Sequence, residues 1–320
     1  MISIPSLLSI PFLKNLKRQD CIGIDWGIKE LKWAKVQTIG PGRHRLVFLD
    51  SLSLTEGGAQ LVTNLKEYVL KNHLGGTPAA VCIQDDSLHI RKLELPRMPM
   101  EDLREAVRWQ MRDIAEESMD DYIVRYSILE EIVQPEIVRL NLLGYAVKKI
   151  VVQQYLRILE KIGLRPFFVE PAPVSLAYTM ERIFPSGENE WAACIDIGWR
   201  HAYFLAIGNG KLHFIKPLAG VSLEQAQVLQ ENFSEKLGLE IQHAIDAFSI
   251  SHQIEKIEKL FLTGGGAASE NLSATLSKNL GIVTELFNPF QGIEQTNEFA
   301  LATEKPYLFG AALGLAFLKP

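Results

Sequence analysis

The sequence has few cysteines and no excess of positive charge. Its 320 residues include only Cys21, Cys82 and Cys194, none of which forms a C-x-x-C pair. All three lie in apolar runs, which argues against a disulfide framework or a zinc site and suits a reducing compartment. The net charge of −5 predicts no nucleic-acid partner, because such proteins neutralise phosphates with clustered basic residues.

Long hydrophobic runs are also missing. No stretch reaches the roughly 18 to 20 apolar residues of a transmembrane helix, so the chain is predicted to have no membrane span of its own. Residues 1–13 are apolar, but prolines interrupt them and their charges follow the apolar part, the reverse of a secretory signal. Residues 1–19 are predicted to form a tail that is either loosely packed or in weak contact with a membrane surface or partner. The residues that would make this contact are Leu7, Leu8, Phe12, Leu13, Lys14, Lys17 and Arg18.

No catalytic motif is present. The seven histidines lack metalloprotease spacing, and there is neither a G-x-S-x-G elbow nor a Walker A sequence. The composition, 47% hydrophobic and 22% charged, is that of an ordinary globular protein. The length corresponds to roughly two domains.

The sequence does contain an internal repeat. Residues 21–27 read C-I-G-I-D-W-G and residues 193–199 read A-C-I-D-I-G-W. Each is an apolar strand that ends in Asp-x-Gly, at Asp25 and at Asp196. Two strand-like runs separated by a glycine-containing turn follow each copy, which is a hairpin signal. The repeat predicts two similar α/β lobes.

The two acidic turns are candidate phosphate sites. Their backbone N–H groups can hold a phosphate, and the aspartates can hold Mg²⁺ through its water shell. Lys29 and Lys32 follow the first turn, and residues 264–266 form a Gly-Gly-Gly junction between a strand and a helix, which allows close approach to a ring or phosphate. Alternatively, these turns are kept only for their geometry.

A different block separates the two copies. Residues 78–170 are predicted to follow the order strand–helix–strand–strand–helix–strand, a compact α+β insert. On its first helix, Arg104, Arg108 and Arg112 form a stripe flanked by Trp109. The stripe is either a solvated face paired with Glu101, Glu105 and Glu116 or a groove for an acidic partner. Beyond the second copy, helices over 223–237 and 239–253, separated at Gly238, and a closing helix over 307–318 are predicted.

These features together resemble the FtsA branch of the actin-like ATPases and, within it, the PilM family of type IV pilus assembly. The resemblance covers about residues 20–318. It depends on the order and spacing of several stretches: Gly23–Gly27 with Leu31-Lys32, Leu93–Met98, Gly163–Pro166 with Glu170-Pro171, Gly264–Ala267, Asn288–Phe290 and Ala311–Ala316.

The resemblance implies a two-lobed actin-like (ribonuclease H-like) α/β fold with an α+β insert of the SHS2 type, like subdomain 1C of FtsA, in the first lobe. Residues 20–77 and 171–190 would form the first lobe, with 305–320 packing back onto it. Residues 78–170 would form the insert and 191–304 the second lobe.

The resemblance also implies ATP and Mg²⁺ in the interlobe cleft. The implied location is cytoplasmic, at the inner face of the bacterial inner membrane. The implied partner is the tail of a bitopic membrane protein, PilN-like or from a GspL-type secretion platform, with a traffic ATPase and self-association as further contacts. The candidate nucleotide-binding residues are Asp25, Gly27, Lys29, Lys32, Asp196, Gly198, Arg200, Gly264, Gly265 and Gly266, and Asp25 and Asp196 are the candidate Mg²⁺ ligands.

The first turn departs from the family pattern, which reads roughly D-I-G-S-S-S-I-K. Here Ile28, Lys29 and Glu30 replace the hydroxyl residues, so a phosphate would lose donors and meet a carboxylate. We therefore expect Mg-ATP to bind weakly or not at all, and we assign no catalytic residue. The leading hypothesis is a scaffold that docks the partner's tail on the insert or on its junction with the first lobe. The alternatives are an active ATPase or phosphotransferase and an FtsA-like filament protein.

Overall fold

The computed structural model describes residues 8–9, 19–54, 58–114, 118–133, 135, 137–184, 190–229, 233–252, 254, 256–296, 299 and 304–320. The predicted contact residues of the N-terminal tail lie outside this part, except that the backbone at positions 8 and 9 forms a short strand. None of the described helices is both long enough and apolar enough to cross a bilayer.

The strands fall into three sheets. In chain order they are β1 (Leu8–Ser9), β2 (Ile22–Trp26), β3 (Glu30–Gly40), β4 (Arg43–Ser53), β5 (Pro78–Ile83), β6 (His89–Pro96), β7 (Tyr122–Val133), β8 (Val138–Lys148), β9 (Arg165–Pro171), β10 (Trp191–Ile197), β11 (Ala202–Gly208), β12 (Lys211–Pro217), β13 (Lys259–Thr263), β14 (Val283–Leu286) and β15 (Ile293–Glu294).

The helices cover the faces of these sheets. They are α1 (Gly58–Lys71), α2 (Met100–Gln110), α3 (Lys149–Lys161), α4 (Ala172–Ile183), α5 (Leu223–Leu229), α6 (Phe233–His252), α7 (Leu272–Leu280) and α8 (Gly310–Ala316).

The first and second lobes share one strand topology. The first sheet has the order β1-β9-β5-β2-β3-β4-β15 and the second has the order β12-β11-β10-β13-β14. In each sheet the strand that carries the Asp-x-Gly turn pairs antiparallel with the next strand of its hairpin and parallel with a later strand. The duplicated α/β architecture predicted from the repeat is therefore present.

The sheet of the insert has fewer strands than the sequence predicted for residues 78–170. It has three strands in the order β6-β8-β7, whereas β5 and β9 lie in the first sheet, where β5 pairs parallel with both β2 and β9. The buried apolar sequence of β5 is typical of a central parallel strand covered on both faces. The predicted order of this block lacked β6, and its two flanking strands, β5 and β9, pair within the first sheet rather than with the insert.

The insert is packed on both faces. Along β8, Leu143, Tyr145 and Val147 join the main core, to which both lobes contribute residues. The alternate residues Leu142 and Ala146 join a separate core beneath α2. Because successive residues of a strand point to opposite faces, this one strand fastens α2 to the body of the protein.

Two helix predictions differ from the structure. α6 continues through Gly238, where an added Cβ would make only ordinary contact with Leu276, so the glycine does not end a helix. The closing segment is a 3-10 turn at Pro306–Leu308 followed by α8. α8 packs on α4 and β2 as predicted, so closely that a Cβ at Gly23 or Gly314 would collide with backbone oxygens.

Candidate functional site

Both Asp-x-Gly turns have the same backbone geometry. The Gly27 N–H donates to the Glu30 carbonyl at 3.1 Å, and the Gly198 N–H donates to the His201 carbonyl at 2.9 Å. Each turn closes a β-hairpin at the end of a buried strand, so the carboxylates of Asp25 and Asp196 are both buried at the cleft. The structure thus brings the two turns together, as the sequence predicted.

A buried ammonium group neutralises the first turn. Lys32 Nζ lies 3.3 Å from Asp25 Oδ2 and 3.9 Å from Glu30 Oε2. Burial would lower the pKa of Lys32, but the two carboxylates outweigh it, and the pKa is raised. The Cys82 thiol donates to Asp25 Oδ1 at 3.4 Å. The Asp25 carboxylate is therefore already satisfied by groups of this chain.

The electrostatic surroundings of Asp196, in the second turn, differ from those of Asp25. Burial and the charge of Asp25 raise the pKa of Asp196 to about 7, although Lys32 lowers it. Gly264 adopts a φ of +82°, and a Cβ there would lie 2.5 Å from Asp196 Oδ1. A carboxyl group with that pKa is partly protonated at neutral pH.

Most of the predicted nucleotide-binding residues line one cleft. The predicted residues that line it are Asp25, Gly27, Lys29, Lys32, Asp196, Gly198, Gly264 and Gly265. Arg200 is exposed and pairs with Asp86 at 3.4 Å instead. Gly266 packs directly on Ile197, and its N–H donates to the Ile197 carbonyl. These two residues do not line the cleft in this structure, and their assignment to a nucleotide stays a prediction.

The sequence analysis missed several residues that also line the cleft. They are Gln84, Leu176, Leu223, Thr263, Leu308 and Ala311. Gln84 and Thr263 sit at equivalent edges, just after β5 and at the end of β13. That position after a parallel strand was the available signal.

Direct contacts bridge the two lobes across the cleft. Lys29 Nζ lies 4.7 Å from the centroid of the Trp199 ring, which joins the first turn to the second. Beside it, Asp86 accepts from Arg200 at 3.4 Å and faces His201 Nε2 at 3.1 Å. These contacts join the two lobes beside the cleft.

The cleft in this form does not fit a nucleoside triphosphate with its metal. Its volume is about 130 Å³, whereas pockets for small ligands usually measure about 300–1,000 Å³. Glu30 lines it beside the two aspartates, and a phosphate would meet all three carboxylates. Among the described residues no three His, Cys, Asp or Glu side chains form a group that could hold a metal ion.

The Arg stripe lies on the outer face of the insert. Trp109 is 61% exposed, and the Arg112 guanidinium stacks 3.5 Å from its ring centroid. Arg108 pairs with Asp120 at 2.6 Å, and Arg104 is exposed on α2. Arg108 thus pairs with an aspartate beyond α2 instead of with one of the three glutamates considered above, of which Glu116 lies outside the described residues. Glu105, Ala106, Arg108, Trp109, Arg112 and Met119 line a shallow groove of about 440 Å³.

Comparison with known proteins shows which proteins this architecture is similar to. The family model of the type IV pilus assembly protein PilM matches residues 218–319. The solved PilM-PilN type IV pilus biogenesis complex contains a chain with 20% identity and a TM-score of 0.78, and the match covers 94% of this chain and 98% of that one. The chain has the actin-like fold of PilM.

Two further solved structures are less similar to this chain. A Bacteroides thetaiotaomicron protein with an actin-like ATPase fold and unknown function is 13% identical, with a TM-score of 0.50 over 92% of this chain and 98% of that one. The cytoplasmic domain of EpsL, from the type II secretion system of Vibrio cholerae, is 14% identical with a TM-score of 0.45 over 84% of this chain and 97% of that one, too distant to carry an argument. No curated protein sequence matches the chain.

Proposed function

We propose that this chain is an actin-like scaffold of a type IV pilus assembly platform and that it works without turning over nucleotide. The observation that carries the proposal is the match to a chain of the PilM-PilN complex over nearly the full length of both. In this proposal the protein lies at the cytoplasmic face of the inner membrane, held there by the tail of a bitopic membrane protein.

The cleft supports the part of the proposal that concerns nucleotide. The Lys32 ammonium pairs with the Asp25 carboxylate, and the pKa of Asp196 is raised to about 7. The Lys29–Trp199 contact joins the two turns that line the cleft. Opening this arrangement for a triphosphate would break the interlobe contacts and bring phosphate oxygens against Glu30. The residues of the cleft therefore act as a fixed joint between the lobes.

A thermal-shift experiment tests the nucleotide part. A ligand at 100 times its Kd adds about 2.7 kcal/mol to stability, which for domains of this size raises Tm by several degrees. With millimolar Mg-ATP we expect a shift below about 1 °C in the full-length chain. A shift of several degrees that Asp196→Ala abolishes would overturn this part and favour the active ATPase.

The face of α2 supports docking on the insert. An exposed indole beside basic side chains suits a partner segment with an apolar anchor and acidic neighbours. The packing of β8 on both faces makes this a rigid platform rather than a mobile flap.

A binding experiment with point variants tests the docking site. Deleting residues 78–170 would remove β5 and β9 from the first sheet, so substitutions are the better tool. The probe is a fluorescent peptide of the cytoplasmic tail of the bitopic protein encoded beside this chain. Trp109→Ala should weaken binding at least about tenfold, the range of a hot-spot residue. Arg125→Ala, which removes an exposed arginine elsewhere on the insert, should leave it unchanged. Tight binding that Trp109→Ala does not alter would move the docking site to the junction with the first lobe.

A further inference from the structure

A second polar cluster lies away from the cleft, where the insert meets the second lobe. The carboxylate of Glu130, on β7, faces two histidines of the second lobe. Its Oε2 is 3.8 Å from His213 Nδ1 and its Oε1 is 3.9 Å from His252 Nε2. The side chains of His213 and His252 are only 12% and 5% exposed. One carboxylate thus faces two buried imidazoles across the interface.

The other ring nitrogens fix the tautomers. His213 Nε2 lies 3.1 Å from the Gly208 carbonyl and His252 Nδ1 lies 3.2 Å from the Phe248 carbonyl. His252 Nδ1 also lies 2.7 Å from Ser251 Oγ, whose hydroxyl donates to the same Phe248 carbonyl and so accepts from the ring. Because a carbonyl only accepts, each of these nitrogens carries the hydrogen of a neutral ring. The nitrogens that face Glu130 then hold lone pairs, and neither has a hydrogen-bond partner among the described residues. The closed contact therefore holds two neutral, buried rings against one carboxylate, with no hydrogen bond between them.

The surroundings of the pair disfavour a charged ring. Burial lowers the pKa of both histidines, while the Glu130 carboxylate raises it. Lys92, on β6, lowers the pKa of His252, and Lys211, on β12, lowers that of His213.

The remaining polar neighbours do not reverse this balance. The Asn141 amide, on β8, donates to Glu130 Oε1 at 2.5 Å and so occupies one of its acceptor sites. Glu181, on α4, accepts from the backbone of Leu212. Trp191, Phe214 and Phe248 supply aromatic walls.

We propose that Glu130, His213 and His252 form a proton-sensitive contact whose protonation loosens the packing of the insert on the second lobe. The closed contact binds fewer protons than the opened one, so it is favoured above pH 6.5, the ordinary histidine pKa, and is lost as the pH falls below it. Each unit by which the ring pKa differs between the two states changes their ratio about tenfold. The other packing contact of the insert, through Leu143, Tyr145 and Val147 in the main core, does not involve these three side chains and stays closed. The proposal does not depend on the proposed docking function.

Fluorescence and hydrogen exchange of the full-length chain test the proposal, with a chelator present throughout to exclude metals. The Trp191 ring lies 5.0 Å from His213 and 6.4 Å from His252, so its emission reports their protonation, and Trp191→Phe identifies the signal. Between pH 8 and pH 5 we expect a change in emission below about pH 6.5. Over the same range, amide protection in β12, corrected for intrinsic exchange, should fall relative to β2.

Variants identify the groups that titrate. His213→Phe/His252→Phe keeps the aromatic packing and should abolish the transition. Glu130→Gln removes the charge that draws the proton and should move the transition to lower pH; this single variant decides the matter if the double variant does not fold. His243→Phe, an exposed histidine on α6, should change nothing. Protection that rises on acidification, or a transition that survives in the folded double variant, overturns the proposal.

Discussion

The two Asp-x-Gly turns have the same backbone but different neighbours across the strand. In the first sheet Asp25 is opposite Lys32 on the adjacent strand of its hairpin. In the second sheet the residue opposite Asp196 is Tyr203. The topology on either side is the same, with a parallel strand carrying Cys82 beside Asp25 and Thr263 beside Asp196. The repeat therefore preserves geometry, while the charge compensation of the cleft resides in one half only.

This difference gives the two aspartates opposite energetic roles. Asp25 and Lys32 form a buried pair, and removing one partner of such a pair leaves an uncompensated charge. Asp196 has a raised pKa, because its charged form is desolvated and repelled by Asp25. Substitutions at equivalent positions should thus change stability in opposite directions.

The largest expected effect is that of Lys32→Met. It leaves Asp25 buried without its cation, which costs about 3–5 kcal/mol of unfolding free energy. Chemical denaturation of both chains at pH 7.5 measures it. Asp25→Asn combined with Lys32→Met should recover most of the loss, since the two changes are coupled. A loss below about 1 kcal/mol in the single variant would show that the pair is solvated, as surface ion pairs are.

Asp196→Asn is expected to have the opposite sign. The folded pKa of about 7 exceeds the ordinary aspartate pKa of 3.8, so the folded chain holds a proton that the unfolded chain releases between these values. Stability that is present at pH 4 is lost as the pH rises to 7, and the asparagine variant does not lose it. We expect Asp196→Asn to gain up to about 4 kcal/mol at pH 8 and much less at pH 4 to 5.

The paired control is Asp25→Asn. It leaves the buried Lys32 ammonium without the carboxylate of Asp25 and should destabilise the chain at pH 8. Denaturation curves at pH 5 and pH 8, with a chelator present, give both values. Two variants that shift stability in the same direction would refute the comparison between the turns.

A substitution at Gly264 tests the close approach of the glycine junction to the second turn. An alanine there would be strained at a φ of +82°, and its Cβ would meet Asp196 Oδ1 and the Ile197 carbonyl. We expect Gly264→Ala to lose about 1–3 kcal/mol. Gly265→Ala is the matched control, because its Cβ would make only an ordinary contact with Leu223 at 3.5 Å. Equal losses at both positions would mean that the junction, rather than its approach to Asp196, sets the cost.

How much of this structure can be predicted from the sequence depends on how far apart in the chain the interacting residues lie. The repeat around Asp25 and Asp196 predicted the two lobes, because strand, turn and hairpin signals are local. The membership of β5 and β9 in the first sheet was missed, since pairing between strands far apart in sequence leaves no local pattern. The pairing of Arg200 with Asp86 was not predicted for a related reason: Asp86 comes from the other lobe. The pair Glu130–His213 was likewise invisible, since it exists only across an interface.

The smallest expected effect is the coupling between the two turns themselves. Lys29 lies over the Trp199 ring, and a cation–π contact at such a partly exposed site contributes about 0.5–1 kcal/mol. A double-mutant cycle with Lys29→Met and Trp199→Leu isolates this term from the packing that each side chain makes alone. Since Lys29 belongs to the first lobe and Trp199 to the second, a coupling in that range would mean that the turns stabilise each other directly across the cleft. A coupling indistinguishable from zero would leave the Asp86 contacts with Arg200 and His201 to hold the lobes together. The Lys29–Trp199 contact would then be a consequence of closure instead of a cause.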